Sequence, residues 1–260
     1  MDKLFKIENL NFKWKGNSKY LFDNVNFSIE KNRLTSIIGK NGSGKTTLLK
    51  LLAKILEPTN GKIILNEKDI SNLPLKELAA CISYVEQNLS NDIPLLVQEV
   101  VALGNILLND TIFNYNNDKN RRKKEQLEKA IALTKIEHLI DKPFNKLSGG
   151  EKQKVLIARA VCQSTKIILL DEPTSFLDIK NQFETMELLH SFVKKEDMNI
   201  ILISHNLNLV SNYSDNILII KDGIVYSDTK DLLLKEEYLD KTFDTKIEQY
   251  KIGNKKIFFC

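Results

Sequence analysis

Short apolar runs with the length of β-strands recur in the first and last thirds of the chain. Turn residues separate these runs, as expected for strands rather than for longer buried helices. The predicted strands cover residues 4–7, 25–29, 34–38, 63–65, 82–85, 167–170, 200–203 and 217–220.

Helical spacing appears between these strands. Leu127, Ile131 and Thr134 stand at positions i, i+4 and i+7, which lie on one face of a helix. A solvated loop rich in Asn, Asp, Lys and Arg is predicted over 114–124, with its basic run 121–124 simply exposed. Pro58 is expected to stop the first helix. The predicted helices cover residues 46–56, 97–103, 122–134, 151–163 and 179–195.

Strands that alternate with helices predict an α/β fold, with a largely parallel sheet covered by helices on its faces. The stretch 88–164 is helical in character and interrupts that alternation. We therefore expect a helical subdomain over 88–164, inserted into an α/β body made of residues 1–87 and 165–260.

Composition narrows the class of protein. The 260 residues are 42% hydrophobic and 28% charged, which is typical of a globular protein. A net charge of +4 is too small to indicate a nucleic-acid partner. No apolar run approaches the roughly 20 residues of a membrane-spanning helix, and the N-terminus lacks a signal-peptide pattern, so we expect the chain in the cytoplasm. Cys81, Cys162 and Cys260 form no CxxC pair and are expected to be buried or terminal thiols.

Residues 39–46 fit the phosphate-loop pattern GxxxxGK[ST] between a predicted strand and a predicted helix. Glycines let the backbone curl so that N–H groups converge on phosphate oxygens, and the helix N-terminus adds positive potential. Lys45 is expected to neutralise the β- and γ-phosphates, and the Thr46 hydroxyl to hold Mg²⁺. The loop reads Gly39, Lys40, Asn41, Gly42, Ser43, Gly44, Lys45 and Thr46.

Two acidic residues follow the apolar run 167–170. Ligands of open parallel sheets bind at the carboxyl ends of the strands, so Asp171 and Glu172 are expected beside the phosphate loop. Asp171 is predicted to hold Mg²⁺ through water, and Glu172 to accept a proton from the attacking water.

A second potential anion site precedes the helix predicted over 151–163. Ser148, Gly149, Gly150 and Glu151 stand where a helix N-terminus offers free N–H groups. A chain with two such helix starts has a use for both if two copies face each other. Each copy would then close over the nucleotide that the other copy's phosphate loop holds.

These motifs, in this order, resemble the motif series of ABC ATPases over nearly the whole chain. That resemblance implies ATP and Mg²⁺ as ligands and a mixed, mainly parallel sheet with N-terminal antiparallel strands and a helical subdomain. It implies that Gln87 serves the nucleotide and Mg²⁺, that His205 contacts the γ-phosphate, and that the segment 175–178, including Asp178, communicates across a dimer. Thr47 follows the loop and joins the nucleotide-binding set. Trp14 matches the aromatic position that stacks on adenine, with Phe12 as the alternative.

Within the family, residues 82–87 and 97–104 look like the importers of ferric siderophores, haem and cobalamin. So do Ile179 with Gln182, and the C-terminal stretch 239–243. Asn105, where that branch usually has Arg, departs from the pattern. The resemblance implies a homodimer on the cytoplasmic face of the cell membrane, two permease subunits received in a groove within 89–103, and indirectly an extracytoplasmic binding protein.

Other functions of the same fold remain open at this point. They are import of another metal or small nutrient, a soluble ATPase of iron–sulfur cluster assembly, and a regulator or DNA-maintenance protein. The residues 151–160 look more like those of transporters, and the chain has no heptad run. The sequence therefore favours the importer.

Overall fold

The computed structural model describes residues 2–87, 94–108, 117–253 and 255–259. In chain order the strands are β1 (Lys3–Phe12), β2 (Phe22–Glu30), β3 (Leu34–Gly39), β4 (Asn60–Leu65), β5 (Lys68–Asp69), β6 (Ile82–Val85), β7 (Ile167–Leu170), β8 (Asn199–Ile203), β9 (Asn216–Lys221), β10 (Ile224–Asp228), β11 (Glu248–Ile252) and β12 (Lys255–Phe259). The α-helices are α1 (Lys45–Leu52), α2 (Leu75–Cys81), α3 (Val97–Ala102), α4 (Asn117–Thr134), α5 (Gly149–Cys162), α6 (Ile179–Glu196), α7 (Leu207–Tyr213), α8 (Lys230–Leu233) and α9 (Glu236–Phe243).

The central sheet has six strands in the order β10-β9-β3-β8-β7-β6. Strands β9, β3, β8, β7 and β6 are parallel, and only β10 runs antiparallel to its neighbour. Every residue of β3, β7 and β8 is buried, because both faces of a parallel sheet are covered. The parallel ladder brings the carboxyl ends of β3, β6, β7 and β8 to one edge.

The two faces of this sheet belong to different cores. Leu169 and Ile201 point to the side of α1, whose apolar residues pack between the central sheet and the four-stranded antiparallel sheet β2-β1-β4-β5. Leu170 and Leu202 point to the other side and pack with α3, α5 and α6. The alternation follows from the two-residue period of a strand. The phosphate loop thus stands on a helix held between two sheets.

The prediction of an α/β fold with a mixed, mainly parallel sheet and antiparallel N-terminal strands is confirmed. The helices α3, α4 and α5 fall within 88–164, yet they share one core with α6 and the central sheet. Residues 88–93 and 109–116 lie outside the described residues. The division at 87/88 and 164/165 therefore stays a prediction.

Several predicted bounds need correction. The first helix ends at Leu52, not at residue 56, because Lys54 adopts a left-handed backbone conformation (φ 55°) that a helix cannot continue. The helix α4 begins at Asn117, so the predicted loop over 114–124 is wrong from 117 onward. Arg121 pairs with Glu125 one turn later, which supports the helix there. Arg121, Arg122 and Lys124 are exposed, as predicted.

The chain after β9 carries more structure than its pattern predicted. The hairpin β11–β12 packs on α7, and Phe258, Leu239 and Ile38 share a third core. The stretch 239–243 lies in α9. Cys162 is buried, which raises the pKa of its thiol to about 11, whereas Cys81 is exposed and contradicts the expectation of a buried thiol. Cys260 lies outside the described residues.

Candidate functional site

The phosphate loop joins the end of β3 to the start of α1. Gly44 precedes the helix in a left-handed conformation (φ 103°), and a Cβ there would stand 2.9 Å from the Phe22 ring. Gly39 has φ 152°, and a Cβ there would stand 2.3 Å from the carbonyl oxygen of Ile220. Only glycine fits both positions without displacing neighbours. The close approach of neighbouring strands therefore requires glycine at positions 39 and 44 of this motif.

Two polar side chains of the loop, Lys45 and Ser43, are directed into its interior. The Lys45 ammonium is buried and donates to the carbonyl oxygens of Gly39 and Lys40, at 2.9 and 2.7 Å. Burial lowers the pKa of Lys45, against the carboxylates of Glu172 and Asp171, which raise it. The Ser43 hydroxyl is buried with no hydrogen-bond partner. A curled loop with a buried ammonium and an unpaired hydroxyl fits a bound phosphate.

A hydroxyl and a carboxylate meet at the foot of the loop. The Thr46 hydroxyl donates to Asp171, 3.1 Å away, and the Tyr84 hydroxyl lies 3.4 Å from the other oxygen of that carboxylate. Burial raises the pKa of Asp171, although the bond from Thr46 opposes the shift. Mg²⁺ in phosphate sites takes one or two protein oxygens together with phosphate oxygens. Thr46 and Asp171 fit that role, while among the described residues no cluster of three His, Cys, Asp or Glu forms a metal cage.

Three donors surround the carboxylate of Glu172. Ser175 donates at 2.6 Å and Gln87 at 2.8 Å to one oxygen, and a ring nitrogen of His205 lies 2.7 Å from the other. Burial raises the pKa of Glu172, but the hydrogen bonds from Ser175 and His205 outweigh it and hold that pKa below its usual value. The carboxylate is thus kept ionised, as a proton acceptor must be.

Gln87 makes its side-chain contact within the site, and its predicted roles toward the nucleotide and Mg²⁺ stay predictions. Its amide contacts Glu172 rather than Thr46 or Asp171, the other two residues predicted to hold Mg²⁺. The structure therefore brings together Gln87, Glu172 and His205 as one group, and Thr46 and Asp171 as another.

A cleft of about 810 Å³ joins the two groups. Trp14 lies at its wall with 47% exposure, whereas Phe12 is 5% exposed and meets the Trp14 ring edge-on from the core. Lys40 and Ser43 face an adjoining cavity instead, and Lys40 forms an ion pair with Asp244. The cleft is lined by Trp14, Leu21, Asn41, Gly42, Gly44, Lys45, Thr46, Thr47, Gln87, Glu172 and His205.

The residues 148–151 begin the helix α5 away from this cleft. Ser148 and Glu151 form a reciprocal capping box, in which the Glu151 carboxylate accepts from the Ser148 N–H at 2.9 Å. That bond lowers the pKa of Glu151. Gly150 is closely packed, since a Cβ there would stand 2.6 Å from the Asn181 side chain. Asp178 caps α6 through the Asn181 N–H. None of the described residues that line the cleft comes from 148–151 or is Asp178.

Two contacts of the site were not predicted as such. Ser175 was assigned to a segment that communicates across a dimer, and its bond to Glu172 went unrecognised. Tyr84 belongs to the predicted strand 82–85 and to the stretch 82–87 that resembles the importers, without a predicted contact to Asp171. The parallel pairing of β6 with β7 sets Tyr84 beside Leu169 and brings its hydroxyl to Asp171. Pairing of strands so distant in the chain leaves no local signal.

A parallel sheet with a phosphate loop on its third strand in spatial order and an acidic pair at the end of a nearby strand defines a phosphate-loop ATPase. The sequence profile of the family described as ABC transporter matches residues 22–175, more than half of the chain. The chain belongs to this family and is an ABC transporter ATPase.

Known relatives agree with that assignment. The "probable siderophore transport system ATP-binding protein YusV" of Bacillus subtilis is 36% identical over 80% of this chain and 74% of its own length. The "petrobactin import ATP-binding protein FpuC" of Bacillus anthracis is 32% identical over 93% of this chain and 87% of its own. The resemblance to the iron-siderophore branch is confirmed.

Solved structures of ABC transporter proteins also align with this chain. An inward-facing transporter described as metal-chelate type aligns with a TM-score of 0.82 and 27% identity, over 99% of this chain and 96% of that one. A dimeric ATP-binding cassette with ADP and phosphate aligns with a TM-score of 0.71 and 28% identity, over 86% of this chain and 98% of that one.

Among the described residues, no helix has the length and apolar character needed to cross a membrane.

Proposed function

We propose that this chain supplies the energy for import of an iron complex, most specifically a ferric siderophore. Two copies would hydrolyse ATP on the cytoplasmic face of the membrane while each contacts one of two permease subunits. An extracytoplasmic binding protein would deliver the cargo. The names of the siderophore and petrobactin relatives support the cargo class, and haem and cobalamin are outcomes that the cargo experiment below separates.

One observation carries the proposal of a working pair. The phosphate loop and the Glu172 group share a cleft, but Ser148, Gly149, Gly150 and Glu151 begin α5 outside it. The helix start exposes Ser148 and Gly149, and its positive potential favours a phosphate there beside the capping carboxylate of Glu151. In a head-to-tail pair, this site of one copy would close over the γ-phosphate held by Lys45 of the other.

The residues would then divide the chemistry as follows. Trp14 stacks on the base, and the loop N–H groups with Lys45 hold the phosphates. Thr46 and Asp171, with Gln87 once it leaves Glu172, would hold Mg²⁺, which supplies charge neutralisation between the phosphate oxygens. Glu172 accepts a proton from the water that attacks the γ-phosphorus, the bond to the ADP oxygen breaks, and His205 contacts the γ-phosphate. Asp178 would face the second copy.

The contact with the permease is proposed to lie in the stretch 89–103. Residues 89–93 lie outside the described residues, and Val97, Val100 and Val101 are fully buried, so these three cannot line a groove. Leu103 remains 39% exposed beside them. Cross-linking from a cysteine at position 103 to a permease loop would support the contact, whereas repeated failure to capture a membrane subunit would count against it.

Two substitutions test the enzyme. Glu172→Gln should leave ATP binding intact, reduce turnover by about 100-fold or more and trap an ATP-bound dimer, because a proton acceptor contributes about 10²–10⁴-fold. Lys45→Ala should weaken nucleotide binding itself. Equilibrium binding, phosphate release and size-exclusion chromatography with ATP measure the three effects. Near-normal hydrolysis by Glu172→Gln would refute the assignment of the base.

The cargo needs a separate experiment. The chain should co-purify with a permease, and its ATPase rate in vesicles should rise when the loaded binding protein is present. Ferric siderophores, haem and cobalamin are compared side by side. Stimulation by a siderophore complex alone supports the proposed cargo, and stimulation only by cobalamin or haem overturns it while leaving the ATPase assignment intact.

A further inference from the structure

The side-chain amide of Gln182, in the first turn of α6, joins two loops of the site. Its nitrogen donates to the carbonyl oxygen of Leu177, 3.0 Å away. Its oxygen accepts from the side-chain nitrogen of Asn206, 3.2 Å away. The Gln182 side chain does not line the cleft, and its two hydrogen bonds go to neither the phosphate loop nor Glu172. Both amide ends are therefore used to hold one loop to the other.

The first of these loops faces outward. Phe176 and Ile179 are 90% and 74% exposed, and Phe176 adopts a left-handed backbone conformation (φ 62°). Ser175, at the start of the same turn, donates to the Glu172 carboxylate. Any body that presses on the turn 176–179 therefore presses on a segment bonded directly to Glu172.

The second loop carries His205. Asn206 caps α7, because its side-chain oxygen accepts from the backbone N–H groups of Asn208 and Leu209. Its side-chain nitrogen donates to Gln182, and the preceding residue, His205, contacts the Glu172 oxygen that does not accept from Ser175 and Gln87. The position of the imidazole thus depends on a residue that is fixed from both sides.

Together these bonds close a ring. From Glu172 it passes through Ser175 to Leu177, across the Gln182 amide to Asn206, and through His205 back to Glu172. Glu172 and Gln182 each make two of the four hydrogen bonds in this ring, so neither side chain can move away without breaking both of its contacts. Gln182 joins the turn 175–178 to the loop that carries His205.

We propose that Gln182 is a positioning residue, which holds His205 and the turn 175–178 in register around Glu172. The proposal rests on the function proposed above, in which a second copy of the chain presses against the exposed turn. Docking on Phe176 and Ile179 is then transmitted through Gln182 to His205 in the same chain. Hydrolysis thereby depends on contact at a surface that bears no catalytic group.

Neutral substitutions break the bridge at either end. Gln182→Met keeps the length and helix propensity of the side chain but removes both bonds. Asn206→Ser keeps an N-cap oxygen for α7 but is too short to reach Gln182. Gln182→Glu keeps the oxygen that accepts from Asn206 and loses the nitrogen that donates to Leu177, so it tests the bond to Leu177 alone. Two substitutions are the matched controls. Lys180→Met changes the same helix as Gln182, and Asn212→Ser removes an exposed hydrogen bond from the Asn212 side chain to the Asn208 carbonyl oxygen within α7.

Gln182→Met and Asn206→Ser should each lower kcat about tenfold, because a misplaced catalytic group costs up to about 100-fold. KM for ATP should stay within about twofold, since the cleft and phosphate loop are untouched. The kcat of the double variant should be no lower than that of the less active single variant, because both substitutions remove the same bridge. Gln182→Glu should show part of the loss, and both controls should keep their activity. Tm values within about 3 °C of wild type exclude general unfolding.

An unchanged kcat in Gln182→Met would overturn the positioning role, and so would a rise in KM that accounts for the whole loss of activity. Additive losses in the double variant would show that the two residues act separately and refute the bridge. The ATP-trapped dimer is measured for Glu172→Gln with and without Gln182→Met. An absent dimer in Glu172→Gln alone refutes the proposed function, whereas an intact dimer with unaltered kcat in Gln182→Met refutes only this inference.

Discussion

At the scale of single residues, Glu172 is held in a conformation that its own backbone disfavours. Its φ of 50° is left-handed, which costs a non-glycine residue about 1 kcal/mol. The bonds from Ser175, Gln87 and His205 offset that cost by fixing the carboxylate. The strained turn directs the side chain into the cleft, where a base has to be.

Trp14 offers a direct measurement, because it is the only tryptophan in the chain. Trp14→Ala should raise KM for ATP about tenfold with kcat nearly unchanged, since stacking on a base contributes about 1–3 kcal/mol. Trp14→Tyr should keep most of the affinity. In the wild-type protein, ATP should change the intrinsic tryptophan fluorescence, and titration gives the affinity independently of turnover.

Phe12→Leu is the matched control for Trp14. The Phe12 ring is buried, so its truncation should lower stability and leave the affinity for ATP within about twofold. A Trp14→Ala variant with normal affinity, together with a Phe12 variant that binds poorly, would assign the stacking ring to Phe12 instead.

At the scale of elements, the start of α5 combines a structural and a functional task. The capping box of Ser148 and Glu151 satisfies N–H groups that a helix leaves unpaired. Glu151 also places a negative charge at the positive end of the helix, which stabilises it. The ionised Glu151 lies beside the very N–H groups that are proposed to meet a phosphate, so stability and anion affinity oppose each other there.

Glu151→Ala should therefore destabilise the protein by about 1 kcal/mol at pH 7, allowing for solvent screening of a partly exposed carboxylate. The pKa of Glu151 is lowered from 4.5 in the folded protein, so its contribution is complete above pH 4.5 and is lost as the pH falls through the lower, folded value. Urea unfolding between pH 7 and pH 4 should show the two proteins converging. Glu128→Ala, on the exposed face of α4, serves as control, and a difference that persists unchanged at pH 4 would contradict the mechanism.

The sequence predicted the elements that have a clear hydrophobic period or a glycine motif. It did not predict the elements whose formation depends on contacts with residues distant in the chain. The strands β3, β7 and β8 are buried throughout and mostly apolar because both faces are covered, and their apolar runs predicted them nearly to the residue. The strand β12 depends on packing against α7, so its own pattern did not reveal it. In the site, Lys45 and Glu172 follow from motifs, whereas the Gln182 bridge depends on the meeting of α6 with the loop before α7.

At the scale of the whole molecule, the cleft and the start of α5 lie apart in one chain. If a complete site needs both, a lone chain has none, and a pair has two. Hydrolysis would then be a property of the assembly rather than of the subunit. The permease would act by favouring or opposing that assembly.

The ATPase rate per chain should consequently rise with protein concentration and level off once pairs predominate. Under dilute conditions the total rate should follow about the square of the concentration, as expected for an active species made of two copies. Steady-state assays over a wide concentration range, with sedimentation at each point, measure this. A constant rate per chain while the protein sediments as a monomer would contradict the shared site.

The pairing of β6 with β7 has a consequence for how such proteins diversify. Val85 and Leu170 are partners on neighbouring strands, although the whole stretch with α3, α4 and α5 separates them along the chain. Because the two strands are parallel, that stretch leaves β6 at the carboxyl edge of the sheet and rejoins the sheet at Ile167, at the amino edge of β7. The stretch therefore spans the sheet from one edge to the other, and any exchange of it, in evolution or in a chimaera, has to keep that span together with Gln87 and residues 148–151.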